Sequence, residues 1–394
     1  MMKTDRSFQS GPLAGLRILD LSRLLPGPYC SLLLAGMGAE VIKVETPLAG
    51  DYARMAPAEL GFGGVFEALN RGKRSVAIDY RKPVGRDLVL ELVSSADVFI
   101  ESSRPGRLDR YGLGAIDTRG RNPRLVHCSI SGYGQIGPYR DKPGHDIDYL
   151  AVAGTLSVLG TPGAAPMPPA LQVADIATGN TAAVRILAAL LGRATSGFGA
   201  YLDVAATDGP MSWIQTLGDA LDWAGTAAGP MCGAYPCYGT YRASDGRWLA
   251  VGALEVPFWQ AFCSGLGQED LIPRQFDPTA IDIVAREIAA HPSGWWLERL
   301  ADDACVELVR TPAEAAADPY LRLRSSDLAD QPAPVLGADT AEVLAEAGID
   351  HARLDRLTAS GVVAGVQSPA RTARAARLGA MLARRKSAAV ARTA

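Results

Sequence analysis

Through its first two hundred residues the chain alternates short, almost purely apolar runs with segments of helical character, and this alternation leaves few folds open. Leu16-Arg17-Ile18-Leu19-Asp20-Leu21, Val41–Glu45, Ser75–Asp79, Val98–Glu101 and Leu125–Ile130 are short and rich in branched apolar side chains. Runs of that length and composition read as strands buried on both faces. Between the first two, Pro26-Gly27-Pro28 makes a turn, and Pro28 suits the first turn of a helix through Ser31–Ala35. Gly36 and Gly38 can end that helix at positive φ. A second helix is expected through Asp87–Ser95. Strands separated by helices imply right-handed βαβ units, and hence an α/β fold with a Rossmann-like parallel sheet.

Thr178 is a possible N-cap for a long helix through Ala182, Ile186 and Leu190 that stops near Ser196-Gly197. Gly199–Val204 returns as a strand. The region from about 220 to 325 differs in character. There Tyr238–Ala243 and Arg247–Val251 flank Ser244-Asp245-Gly246, a hairpin signal, so a smaller α+β domain is expected. Helical structure resumes after about Asp327, and the tail beyond Pro369 is rich in Ala and Arg.

Length and charge exclude several functional classes. A chain of 394 residues suffices for two domains, and a net charge of −3 gives no reason to expect a nucleic-acid partner. The cysteines Cys30, Cys128, Cys232, Cys237, Cys263 and Cys305 form no CxxC pair and no His/Cys cluster at zinc spacing, so no metal site is expected. The first ten residues lack the apolar core of a signal peptide, and no run of about 20 apolar residues stands out. A soluble, cytoplasmic protein with reduced thiols is the expectation. Neither GxGxxG nor GxxxxGKS occurs, so NAD and ATP are unsupported.

Three ionisable residues sit among small and apolar neighbours: His145 in Gly144–Tyr149, Asp175 in Val173–Gly179, and Glu255 at the end of Val251–Glu255. Such surroundings perturb pKa values, as acid/base catalysis requires. Read singly, Asp175 would cap the helix after it, His145 would be a core or capping histidine, and Glu255 a solvated charge.

A longer pattern surrounds them: Gly11–Leu21, Leu33–Glu45, Asn70-Arg71-Gly72-Lys73-Arg74-Ser75, Glu101–Gly106, Ser131–Pro138, Thr311–Ala315 with Asp318-Pro319, and Pro334–Thr340. By these segments the chain resembles the family III CoA-transferase superfamily, which also contains the α-methylacyl-CoA racemases. The resemblance implies a large Rossmann-like CoA-binding domain begun by residues 1–220, a small α+β domain over 221–327, and a return to the large domain over 328–394. It further implies a homodimer interlocked like links of a chain, with active sites between subunits. A coenzyme A thioester would be the substrate, with no prosthetic group and no membrane partner.

Asp175 matches the aspartate used by both branches, as nucleophile in transferases and as acid/base group in racemases. His145 separates the branches, because racemases resemble Gly-His-Asp-Ile-Asn-Tyr, and an imidazole suits proton removal next to a thioester. Glu255 matches the glutamate that partners this histidine in racemases. Arg71, Lys73, Arg74 and Arg104, with Arg54 a weaker choice, are the expected phosphate contacts. The backbone N–H of Asp175 is an expected donor to the thioester oxygen.

The departures are Asp148 in place of the racemase-like asparagine, Leu171-Gln172 before the aspartate, and a looser Gly233–Tyr238 loop. Inversion of C2 of a 2-methyl-branched acyl-CoA is the leading expectation. The alternatives are CoA transfer through a covalent aspartyl-CoA thioester at Asp175, and a non-catalytic CoA-thioester-binding protein.

Overall fold

The computed structural model describes residues 11–55, 63–160, 165–216, 233–300, 302–324 and 331–365. It divides into two compact units, one of Met1–Tyr149, Gln172–Pro210 and Ser326–Ala394, the other of Leu150–Leu171 and Met211–Ser325. The chain thus leaves the first unit after Pro210 rather than near 220, and the excursion Leu150–Leu171 belongs to the second. Cys232 and the Ala/Arg-rich tail lie outside the described residues.

In chain order the first unit runs β1 (Arg17–Asp20), α1 (Pro26–Gly36), β2 (Glu40–Glu45), α2 (Val65–Leu69), β3 (Arg74–Ile78), α3 (Pro83–Val93), β4 (Val98–Glu101), α4 (Ala115–Arg121) and β5 (Val126–Ser131). Then follow α5 (Asp146–Val152), whose last turn passes into the second unit, α6 (Val173–Ser196), β6 (Tyr201–Ala205) and α7 (Asp208–Gln215), which begins in the first unit and continues in the second. Strands β1 to β6 pair in parallel in the order β3-β2-β1-β4-β5-β6. The order reverses between β1 and β4, which opens a crevice beyond their carboxyl ends.

Alternate strand residues face opposite layers. Leu19, Ile42, Val76 and Phe99 pack with Leu88, Val89 and Leu92 of α3, while Ile18, Val41, Ile100 and Val126 pack with Cys30 and Leu34 of α1 and Ala182 and Ile186 of α6. Full burial of one such aliphatic side chain stabilises by about 1.5–3 kcal/mol, so both layers hold the sheet. The returning segment closes the β3 edge. The Asp339 carboxylate accepts the Ser75 N–H at 2.8 Å, the Thr340 hydroxyl accepts the Ala77 N–H at 3.0 Å, and a short strand Val363–Ala364 pairs antiparallel with β3.

Helix boundaries depart from expectation in three places. α1 begins at Pro26, with both prolines in its first turn, and Gly36 stays helical while Gly38 takes φ +97°. α6 begins at Val173, so Thr178 is internal, and its buried hydroxyl donates to the Ala174 carbonyl at 2.6 Å. By length and hydropathy α6 could cross a membrane, against the sequence expectation. In the fold its Ala182, Ala183 and Ile186 instead pack into the core.

The second unit is an antiparallel meander, β7 (Tyr238–Arg242), β8 (Trp248–Gly252) and β9 (Val306–Leu308), in the order β7-β8-β9. The β7–β8 turn contains Gly246 at φ +80°. Helices α8 (Val256–Leu266), α9 (Ile281–Ile288) and α10 (Ser293–Leu300) supply Trp259, Phe262, Val284, Ile288 and Trp296 to its core. Both buried indoles are satisfied, since Trp259 Nε1 donates to Ile272 O at 3.0 Å and Trp296 Nε1 to Ile288 O at 2.8 Å.

Candidate active site

A cleft of about 270 Å³ opens in the first unit, at the point where the strand order reverses. Its walls are the segments that leave the strands: Arg23, Leu24 and Pro26 after β1, Ser102–Pro105 after β4, Ile130–Gly132 at the end of β5, and Ala206 after β6. His145 and Asp175 both line it. The fold therefore brings together two of the three residues singled out for proton transfer, from positions thirty residues apart.

Asp175 lies in the first turn of α6, and what caps that helix comes from elsewhere in the chain. The N-cap residue Gln172 makes no side-chain cap. Instead the Asp146 carboxylate accepts the Asp175 N–H at 2.9 Å and also engages the N–H groups of Ala174 and Val173. A carboxylate at a helix N-terminus satisfies its orphan donors and its dipole. This tertiary cap lets α6 start five residues before Thr178. It also corrects one expectation: the Asp175 N–H is already used and is not a free donor for a thioester oxygen.

Burial, and secondarily the Asp146 charge, push the Asp175 carboxyl up to about 7. Burial likewise raises Asp146, partly offset by those backbone N–H groups. Asp148, in the first turn of α5, accepts the His145 N–H at 2.9 Å while its own N–H donates to His145 O at 2.9 Å. The departure from asparagine at 148 thus retains a cap acceptor. The Tyr149 hydroxyl donates to Gly144 O at 2.6 Å. A Cβ on Gly144 would sit 2.7 Å from the Tyr149 ring and 2.8 Å from the Tyr133 hydroxyl, so only glycine fits before His145.

The expected phosphate contacts divide. Lys73 is fully buried, and its ammonium donates to Pro28 O (2.9 Å), Ser31 Oγ (2.7 Å) and Asn70 Oδ1 (2.9 Å) and pairs with Asp20 at 3.4 Å. Burial holds it below the usual ammonium range, at about 8. Asp20 is equally buried, which alone would raise it, but Lys43 and Lys73 with two serine hydroxyls take it down to about 2. Arg74 is bonded to Glu40 at 2.5 Å and Glu346 at 2.8 Å. Both residues are corrected from ligand contacts to internal partners, because a buried cation must keep its charge compensated. Arg54 is similarly spent on Glu45 at 2.7 Å.

Arg71 is half-buried and carries no ion pair among the described residues, and Arg104 is exposed at the cleft wall. Arg104 also borders an adjoining hollow of about 440 Å³ with Arg107, Arg110 and Tyr111. The sequence reading missed Arg107 and Arg110. Their signal was the three-residue spacing of arginines 104, 107 and 110, just after the Glu101–Gly106 motif.

Glu255 belongs to the second unit. It is exposed and sits at the N-cap of α8 with φ −76° and ψ 146°, its side chain making no cap bond.

The model for CoA-transferase family III matches residues 13–340. Human alpha-methylacyl-CoA racemase is 31% identical over 89% of this chain and 97% of its own length. An acyl-CoA transferase of Fusarium pseudograminearum is 35% identical over 68% of this chain and 61% of its own length. Among solved structures, a CAIB/BAIF family protein from Brucella suis aligns with TM-score 0.75 and 28% identity, over 86% of this chain and all of that one. With the sheet order, the cleft at its reversal and a family match across most of the sequence, the chain belongs to CoA-transferase family III.

Proposed function

We propose that this protein is a cytoplasmic acyl-CoA racemase that inverts C2 of a 2-methyl-branched acyl-CoA by moving a proton between His145 and Asp175. The observation that carries this reading is a cleft lined by both residues, with the Asp175 carboxyl pushed up to about 7. A group that takes the proton in one direction and returns it in the other works best with a pKa near the working pH. Either residue removes the C2 proton, according to the enantiomer, leaving an enolate that the other reprotonates on the opposite face. The similarity to a racemase over 97% of that protein's length supports the same branch.

In this reading Arg104, Arg107 and Arg110, with Arg71, hold the coenzyme A phosphates by charge-assisted bonds. Glu255 is contributed by the second subunit of an interlocked homodimer, where its carboxylate fixes the ring orientation of His145. Donors to the enolate oxygen come from groups other than the Asp175 amide, which Asp146 occupies.

CoA transfer is the second reading. It is favoured by the Asp175 carboxylate, which accepts no hydrogen bond among the described residues, and by the similarity to an acyl-CoA transferase. There the carboxylate attacks the thioester carbon and expels the thiolate, which returns on the resulting anhydride to leave an aspartyl-CoA thioester and a free carboxylic acid.

Proton NMR of a (2S)-2-methylacyl-CoA in deuterium oxide, without acceptor acid, separates the two. Loss of the C2 proton signal, abolished by His145→Ala and by Asp175→Ala, is the expected result. No exchange across several acyl chains, with thioester exchange to added carboxylic acids, overturns the racemase reading in favour of the transferase.

A further inference from the structure

Leu24 takes φ +65°, a conformation that only Leu24 and Cys305 adopt among the described non-glycine residues. An L-residue there sets its Cβ against its own backbone, so the surroundings must hold it in place. What holds it is Asp51, whose two carboxylate oxygens accept the Leu24 N–H at 3.1 and 3.3 Å.

Asp51 is itself fixed from several sides. Its side chain and that of Lys43 are both 0% exposed and lie 3.1 Å apart. Its own N–H donates to Glu45 Oε2 at 3.0 Å, and the Ala53 N–H donates to its Oδ1 at 3.0 Å. Lys43 Nζ reaches back to Ser22 O at 3.0 Å. One buried ammonium therefore holds both the carboxylate and the residue two before Leu24. The Arg23 N–H donates to Ser102 Oγ at 2.9 Å, tying this turn to the opposite cleft wall.

A buried ion pair adds little net stability over an apolar pair of equal volume. What an apolar pair lacks is a directed acceptor for backbone N–H groups, and one of the two that Asp51 accepts belongs to Leu24, which lines the cleft with His145 and Asp175.

We propose that Lys43 and Asp51 are positioning residues for the reaction: through the Leu24 N–H they hold Leu24 in its left-handed conformation and so set the shape of one cleft wall. This rests on the cleft being the acyl-CoA site. The test combines Lys43→Met/Asp51→Leu, which removes the acceptor but keeps the volume, with Leu24→Gly, which adopts positive φ unaided.

The Met/Leu variant, which also takes one of two ammonium counter-charges from Asp20, is expected to lose amide-exchange protection at Leu24 and about tenfold in kcat/KM, since misplacing a cleft wall costs turnover. Adding Leu24→Gly to it recovers most of the kcat/KM loss, which a merely structural role would not produce. A Met/Leu variant that keeps kcat/KM within about twofold, or a folded triple variant with no recovery, overturns the proposal.

Should the Met/Leu variant not fold, Leu24→Gly and Leu24→Ala in the otherwise native chain decide. Glycine is expected to melt about 2–4 °C above alanine, and alanine at or above glycine overturns the proposal. The exchange and melting arms need no turnover. An inactive native protein would therefore sink the functional reading while leaving the state of the turn decided.

Discussion

Two sets of cations in the first unit look alike in sequence and are used oppositely. The run Asn70–Arg74 turns Lys73 and Arg74 inward, against Asp20, Glu40 and Glu346. The arginines at 104, 107 and 110 follow β4, line open hollows, and carry no ion pair among the described residues. Charge in a basic motif thus says nothing of where it is spent. That depends on whether the fold places carboxylates beneath it. Lys73 lies over the buried end of β1, where Asp20 needs a counter-charge, whereas the segment after β4 lies at the rim of the crevice.

The strongest way to break this contrast is to remove an inward cation. Lys73→Met is expected to destabilise by about 3–5 kcal/mol in urea unfolding, because Asp20 loses a buried partner. A loss below about 1 kcal/mol would mean that Lys73 is not internally committed. An outward cation should behave in reverse. Arg104→Ala and Arg110→Ala are each expected to weaken coenzyme A binding by about tenfold in calorimetry, more at low salt, while stability stays within about 0.5 kcal/mol.

The contrast also extends to carboxylates, where pH sharpens it. Asp20 lies at about 2, below its ordinary value, so its contribution to stability is present above about pH 4 and fades as pH falls toward 2. Asp175 and Glu101 lie at about 7, raised first by burial. For these the folded state keeps protons that the unfolded chain releases near pH 4, so stability declines as pH rises from there through 7.

Asp146→Asn keeps an acceptor for the Asp175 N–H but removes the neighbouring charge. The rise of activity with ionisation of Asp175 should then move to lower pH, by up to about one unit. The smallest effect is expected for Glu101→Gln. It can still accept the Ser103 N–H, which Glu101 holds at 2.6 Å, and it should flatten the fall in melting temperature between pH 5 and 8 without lowering the value at pH 5.

Much of the frame was legible. Apolar runs of strand length separated by helices lead to a parallel sheet, and its six parallel strands appear within a residue or two of their expected positions, whereas the antiparallel edge strand Val363–Ala364 was not expected. The small and apolar residues around His145 and Asp175 marked both as candidates for proton transfer, and both line the cleft. The start of α6 was not legible, because its cap is Asp146, far along the chain and invisible to a search for a local Ser, Thr or Asp before the helix. The fate of Lys73 was hidden for the same reason, since its partners Asp20 and Ser31 belong to β1 and α1.

By itself, then, the sequence determined the strand and helix types, the α/β class and the residue types offered for proton transfer. Those follow from local periodicity, steric preference and composition, which act over a few neighbours along the chain. Only the tertiary structure decided which amide of α6 is spoken for, which cations line open hollows, and how far the Asp175 carboxyl is raised. Each of these is set by desolvation and by hydrogen bonds from groups distant in sequence, and such energies exist only once the chain has folded around them.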